Sequence, residues 1–141
     1  MDQLPRHTAV GYIDQGTTWR SNIYSVPVKG GPDGGAFSTV QDLEKFWKAL
    51  LGNQLLSADY TGLMLTPHLQ DNDFVHYGYG VWILKLNEKI FKYFIMGSDP
   101  GVSMQSSVYP GPDLQIHIIS NTNNGADSLA RTIDEWAYGE L

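Results

Sequence analysis

The sequence predicts an α+β fold: an antiparallel sheet of about four strands with helices packed on it. Two observations carry this. Between Ile90 and Asn121, three runs of strand-type residues are separated by two Gly/Pro turns. Before and after that stretch, apolar residues recur at helical spacing. The length of 141 residues suits one domain with a real core. Its expected parts are an irregular segment over 1–36, a helical region over 37–66, an antiparallel sheet over 77–121 and a C-terminal helix over 126–139.

In the first part, rich in Gly, Pro and Thr, a short strand is expected over Ala9–Ile13 and another element around Trp19–Tyr24. Residues 26–35 read as a long loop, and a loop of that length usually carries function or packs against something. A helix starts at Ser38 or Thr39, where Ser38 and Gln41 have the capping-box spacing. Val40, Leu43, Phe46, Trp47, Leu50 and Leu51 form its apolar stripe, and Gly52 ends it. A second helix follows a Ser57 cap, with Tyr60, Leu63 and Met64 expected inward, and stops before Pro67. Gly78–Leu84 reads as a strand whose glycines mark a bulge or a close backbone approach. The turn at 86–89 leads to the strand Ile90–Met96. Ser98-Asp99-Pro100-Gly101 reverses the chain, because proline presets φ and glycine accepts φ > 0. Val102–Tyr109 alternates, Pro110–Asp113 turns again, and Leu114, Ile116 and Ile118 share one face of the last strand. In the final helix, Leu129, Ile133 and Trp136 fall on one face, which is expected to lie on the sheet.

Composition narrows the function. Hydrophobic residues make up 42% and aromatics 12%, which excludes general disorder. The formal charge is −6 with no run of Lys or Arg, so nucleic acid is not an expected partner. No apolar run is long enough to span a membrane. There is no cysteine, hence neither a disulfide nor thiolate chemistry. The opening MDQLPRHTAVGY lacks the apolar core of a signal peptide; in a longer natural protein that signal would lie upstream.

Chemistry is sparse. A hydroxyl nucleophile needs an adjacent base, and the compact form is Ser-x-x-Lys on one helical turn. No serine here has a lysine three residues later. Ser25 and Lys29 are four apart, but Pro27 between them argues against a helix. His7, His68, His76 and His117 are scattered, with no helical i, i+4 pair for zinc. His117 reads as a solvent-facing or sheet-face residue. Asp71-Asn72-Asp73 lacks the remaining features of a calcium loop and reads as a solvated loop. The glycines at 30–35 are followed by no Gly-Lys-Ser/Thr, so they read as a loop passing close to the sheet rather than a phosphate cradle. Tyr12, Trp19, Tyr24 and Trp82 read as core rather than groove. No cofactor or metal is expected.

Several segments together resemble one family. Gly34-Gly35-Ala36-Phe37-Ser38-Thr39-Val40-Gln41-Asp42-Leu43 is similar to a signature of serine β-lactamase-like proteins. Gly52-Asn53-Gln54-Leu55-Leu56-Ser57, Tyr77-Gly78-Tyr79-Gly80-Val81-Trp82, Gly97-Ser98-Asp99-Pro100-Gly101-Val102 and Ser120-Asn121-Thr122 resemble its later motifs, in the right order over about residues 8–139. The family comprises class C β-lactamases, penicillin-binding D-Ala-D-Ala peptidases and esterases. The resemblance implies acyl transfer on an amide or ester, with a Ser-x-x-Lys nucleophile, an assisting Tyr or Ser and a backbone oxyanion hole. Ser-x-x-Lys and Tyr-x-Asn precede these motifs in the family and are not in this sequence, so the chain looks like the C-terminal portion of such a protein. Where the family has a cationic residue before x-Gly, Ile95-Met96-Gly97 stands here.

The resemblance therefore implies part of a β-lactamase/transpeptidase-like fold, with Met96, Gly97 and Ser98 lining a substrate-binding wall and no catalytic residue in this chain. The expected partner is the N-terminal catalytic part, if a longer form exists. The alternative is a non-catalytic binding or interaction module derived from that fold, or an unrelated domain. The family is often extracytoplasmic in bacteria. In the resembling fold, further strands extend the sheet beside the last strand. Without them Leu114–Ser120 is expected to be an open edge, and the chain to form a homodimer through it.

Overall fold

The computed structural model describes residues 6–27, 29–32 and 34–139. Three helices and eight strands follow in the order β1 (Tyr12–Asp14), β2 (Trp19–Ser21), α1 (Val40–Leu51), α2 (Ala58–Met64), β3 (Leu69–Gln70), β4 (Val75–Tyr77), β5 (Trp82–Leu86), β6 (Lys89–Asp99), β7 (Val102–Tyr109), β8 (Leu114–Ser120) and α3 (Gly125–Gly139). The fold is α+β with antiparallel sheets, as the periodicities predicted. The strand count differs. One sheet has six strands in the order β3-β4-β5-β6-β7-β8, and β1 and β2 form a two-stranded sheet. The strands missed, β3 and β4, are two and three residues long, too short to show a period of two. The expected strand over Gly78–Leu84 begins only at Trp82 and runs to Leu86. Before it, Gly78 N–H bonds Val81 O, and Gly80 has φ +76°, so the glycines form a turn.

The connections follow from their residues. Asn87 and Glu88 both take positive φ between Leu86 and Lys89, the geometry of a two-residue hairpin turn. Pro100 and Gly101 join β6 to β7. Gly101 has φ +78°, and a Cβ there would stand 2.9 Å from Tyr12 N. Only glycine meets both demands. Asn72 Oδ1 accepts from Phe74 N and Val75 N, both at 3.0 Å, and so shapes the Asp71–Asp73 loop into the β3–β4 turn.

Contacts divide the chain into two compact units. One comprises 40–95 and 106–117; the other comprises 1–39, 96–105 and 118–141. In the first of these, Trp47 and Leu50 of α1 pack with Val81 and Val108, and Met64, Leu65, Tyr93 and Ile95 border them. Leu43 is buried with Trp47 and Leu50, while Val40, Phe46 and Leu51 at the stripe's margin stay exposed. Helix α1 starts at Val40, and Ser38 Oγ donates to Thr39 O (3.4 Å), so the expected Ser38 box is not the observed start. Helix α2 does have its Ser57 cap, which accepts from Tyr60 N. Its inward residues differ from expectation: Tyr60 and Leu63 are exposed, and Thr61 is buried with its hydroxyl 3.5 Å from Leu50 O. A seven-residue helix offers a narrow stripe, and Thr61 can satisfy its polar group there. Lys92 is buried, with its ammonium 4.7 Å from the Phe94 ring centre and 5.9 Å from that of Tyr109.

In the other unit, Asn22 ties the N-terminal segment down. Its Oδ1 accepts from Gly11 N (3.2 Å) and its Nδ2 donates to Pro100 O (3.0 Å). Tyr12 N–H is shared between Gly101 O (3.1 Å) and Asn121 O (2.9 Å). Asn123 Oδ1 accepts from Gly101 N, and Ser103 Oγ donates to Thr122 O while accepting from Ala126 N. Helix α3 buries Ala126, Ala130 and Ala137, not the expected large residues; Leu129 and Trp136 are 49% and 61% exposed. Alanines at i, i+4 and i+11 let a helix backbone approach closely, whereas Leu and Trp on that line would hold it away. Trp19, Tyr24 and Tyr12 are exposed as well, against the core reading. Tyr12 and Trp19 lie on three-residue strands of a two-stranded sheet, which offers too little surface to cover an aromatic ring, and Tyr24 lies in the turn after β2.

Candidate functional site

Residues Met96, Gly97 and Ser98 stand together in β6 and are exposed. The register explains what they offer. Pairing of β5 with β6 runs from Leu86↔Lys89 to Trp82↔Phe94, and β6 continues beyond Phe94 to Asp99. Past the last β5 partner, the β6 backbone presents N–H and C=O groups along the side that β5 has left. Met96 and Ser98 point to one face of the strand, Gly97 and Asp99 to the other. A Cβ added at Gly97 would meet nothing within 4 Å, so this position is open. The loop before α1 comes near the same strand end: a Cβ at Gly34 would lie 3.6 Å from Asp99 Oδ2. Gly31 and Gly34 exchange backbone hydrogen bonds, and Gly35 has φ +81°, which folds that loop tightly. Ile95, where the resembling family has a cation, packs against the core around Trp47 and Val108.

A second constellation was not legible in the sequence. Trp47 Nε1–H donates to Ser106 Oγ at 2.7 Å, and Ser106 Oγ lies 2.8 Å from His117 Nδ1. A serine against a histidine is the pairing of nucleophile and base. Here it cannot serve that role, because Ser106 is wholly buried and its oxygen is held by the indole. With Trp47 donating, the serine proton is free for Nδ1, which leaves the His117 proton on Nε2. That nitrogen is buried without a partner. His117 is thus half-buried within a network; of the two expected placements, solvent-facing and sheet-face, its contacts fit the sheet-face one.

Burial pushes the His117 pKa down, and the Glu44 carboxylate pulls it part of the way back. A second proton on Nδ1 would turn the Ser106 contact from accepting to donating and strand the hydroxyl proton. The unfolded chain, with an ordinary imidazole near ~6.5, takes up the proton first. Stability is therefore fully present above ~6.5 and is lost as pH falls below it toward the lower folded value. We expect the urea midpoint to drop between pH 7 and pH 5, and His117→Gln to flatten that drop; an equal slope in the variant would refute the assignment.

Among the described residues, no group of three or more His, Asp or Glu could hold a metal, and no helix is long and apolar enough to cross a membrane.

An antiparallel sheet with two short helices before it, a third after it and a glycine-turn loop close to its long strand gives the architecture of a penicillin-binding-protein-like fold. The particular likeness is to a penicillin binding protein from Bacillus halodurans of known crystal structure. The two are 43% identical with a TM-score of 0.91, over 96% of this chain and 42% of that one. This chain therefore spans less than half the length of its solved relative. No protein-family model matches it, and no curated protein does.

Proposed function

We propose that this chain carries the strand wall of an acyl-transfer site of the penicillin-binding, β-lactamase-like kind, for amide or ester substrates. The carrying observation is the end of β6. There Met96, Gly97 and Ser98 are exposed beyond the last β5 partner, with open space at Gly97. An extended substrate amide can pair with such a backbone by strand addition. The similarity to a penicillin-binding protein supports the reading. The sequence lacks Ser-x-x-Lys and Tyr-x-Asn, so the wall alone binds without reacting; in a longer form, the N-terminal part supplies the serine.

A second reading, a non-catalytic binding module, is favoured by Ile95. A core-packed isoleucine in place of a cation removes the group that would hold a substrate carboxylate. Fluorescent penicillin tests the reactive side of the proposal. We expect no labelled serine after denaturation, and a covalent adduct would show that a nucleophile is present after all. Gly97→Val tests the wall: it should leave the unfolding midpoint almost unchanged while blocking peptide binding. Binding that survives the valine would place the substrate elsewhere.

A further inference from the structure

We propose that Asn22 is a positioning residue for the substrate wall: with Asn123 it grips one peptide unit, Pro100–Gly101, and so fixes the end of the strand that carries Met96, Gly97 and Ser98. The proposal rests on the reading of those three residues as a wall. All the residues that make the grip lie in the unit of 1–39, 96–105 and 118–141.

The carbonyl oxygen of Pro100 and the N–H of Gly101 belong to the same planar amide. The unit is trans, so the two groups point opposite ways. Asn22 Nδ2 donates to that oxygen at 3.0 Å, and Asn123 Oδ1 accepts from that N–H at 3.0 Å. The plane is held at both poles and cannot turn without losing a bond at one of them. The backbone around it has little freedom either. The Pro100 ring locks φ before the plane. Gly101 takes φ +78° after it, and its own carbonyl accepts from Tyr12 N at 3.1 Å. A Cβ at Gly11 would stand 2.5 Å from Gly101 O, so the N-terminal segment passes directly against this turn. Asn22 is buried, and its Oδ1 accepts from Gly11 N at 3.2 Å. Both ends of its amide are therefore engaged, which fixes its orientation.

The wall lies just before this plane. Beyond Phe94, β5 gives β6 no further partner, yet β6 runs on to Asp99. What holds this last part is its neighbour β7 and the turn that joins the two. A substrate amide adds readily only to a backbone that is already extended, because ordering the strand on binding costs affinity. With the Pro100–Gly101 plane fixed, the strand is extended before the ligand arrives.

Two variants release the plane from opposite poles. Asn22→Asp keeps the oxygen that accepts from Gly11 N and loses the donor to Pro100 O. Asn123→Ala, at an exposed position, loses the acceptor for Gly101 N. In ¹⁵N relaxation each should lower the order parameters of Met96, Gly97 and Ser98 from the rigid value of about 0.85 toward the mobile range below about 0.6, with Leu50 and Val108 of the other unit unchanged. Asn121→Ala, which frees Val10 O but leaves the plane alone, should change neither. Each releasing variant should also weaken binding of a peptide ending in D-alanyl-D-alanine about fivefold or more, the scale of one hydrogen bond. Because both act on one amide, the double variant should bind about as weakly as the weaker single one; side chains with separate structural roles would give additive losses. A parent that binds no peptide refutes the wall, and the relaxation data then still decide whether the asparagines hold the strand. Unchanged order at 96–98 in both variants, lost order with unchanged peptide affinity, or additive losses overturn the proposal.

Discussion

Trp47→Ala is expected to destabilise the protein by about 3–5 kcal/mol, the range for deleting a fully buried large side chain. Trp47 is 0% exposed and lies at the centre of the cluster with Leu50, Val81 and Val108. Its loss removes both volume and the indole N–H that holds Ser106. For a domain whose total stability is about 5–15 kcal/mol, this approaches unfolding. The fall in Tm should be on the order of 10 °C or more. Trp47→Phe separates the two contributions. It keeps most of the ring but leaves Ser106 Oγ without its donor, and a cost of about 1–3 kcal/mol is expected from that alone. If Trp47→Phe proves neutral, the Trp47–Ser106–His117 chain is not a stabilising network. Calorimetry of the two variants and of the parent decides it.

The second large effect is expected at Gly78. A methyl group there would run into the Met64 carbonyl oxygen and lie 3.2 Å from Thr66 O. Both are main-chain atoms at or just past the end of α2, and neither can swing aside as a side-chain end would. Met64 O also accepts from Tyr79 N at 3.0 Å. Gly78→Ala must therefore shift α2 or break that bond, at about 1–3 kcal/mol or more. At Gly62, inside α2, an added methyl would meet nothing within 4 Å. Gly62→Ala should be neutral or gain up to about 1 kcal/mol from helix propensity. Denaturant midpoints of the pair give the contrast; equal effects would show that packing at Gly78 is looser than its contacts imply.

Gly78 also marks how much of the fold the sequence displays. The glycines at 78 and 80 signalled a bulge or a close backbone approach; the close approach is there at Gly78, an added Cβ at Gly80 would meet nothing within 4 Å, and the two form a turn and not the start of a strand. Strands β7 and β8 were legible because Gly/Pro turns delimit them; β6 was expected over Ile90–Met96 but runs from Lys89 to Asp99, taking in the first two residues of the expected Ser98–Gly101 turn. The Leu43–Trp47–Leu50 stripe was legible at period 3.6. What stayed hidden had no period to show. β3 and β4 are held by register with a neighbour and by Asn72, which bonds the turn between them. The buried face of α3 is written in alanines, while Leu129 and Trp136 drew attention to the wrong side. The Trp47–Ser106 hydrogen bond joins residues 59 apart in sequence, and no local pattern announces it. Asn22, Asn123 and Ser103 likewise carry no local signal, yet they anchor the N-terminal segment and the start of α3.

The site was legible only through motif resemblance. Glycine, serine and methionine at 96–98 carry no chemistry that composition could flag. In the proposed wall they offer strand backbone beyond the last β5 partner, which appears once the β5 register is known to stop at Phe94. Ile95 shows the opposite case: its departure from the family pattern was visible in the sequence, and its packing against Val108 and Trp47 gives that departure a structural meaning.

The wall is tested most directly by titrating uniformly ¹⁵N-labelled protein with an extended peptide ending in D-alanyl-D-alanine and following the backbone amides. Saturable shifts are expected, centred on Met96, Gly97 and Ser98, with the amides of Lys89 to Phe94, already paired with β5, left in place. Shifts confined to other segments, or no shift at peptide concentrations that saturate a full-length penicillin-binding protein, would contradict the assignment of the wall.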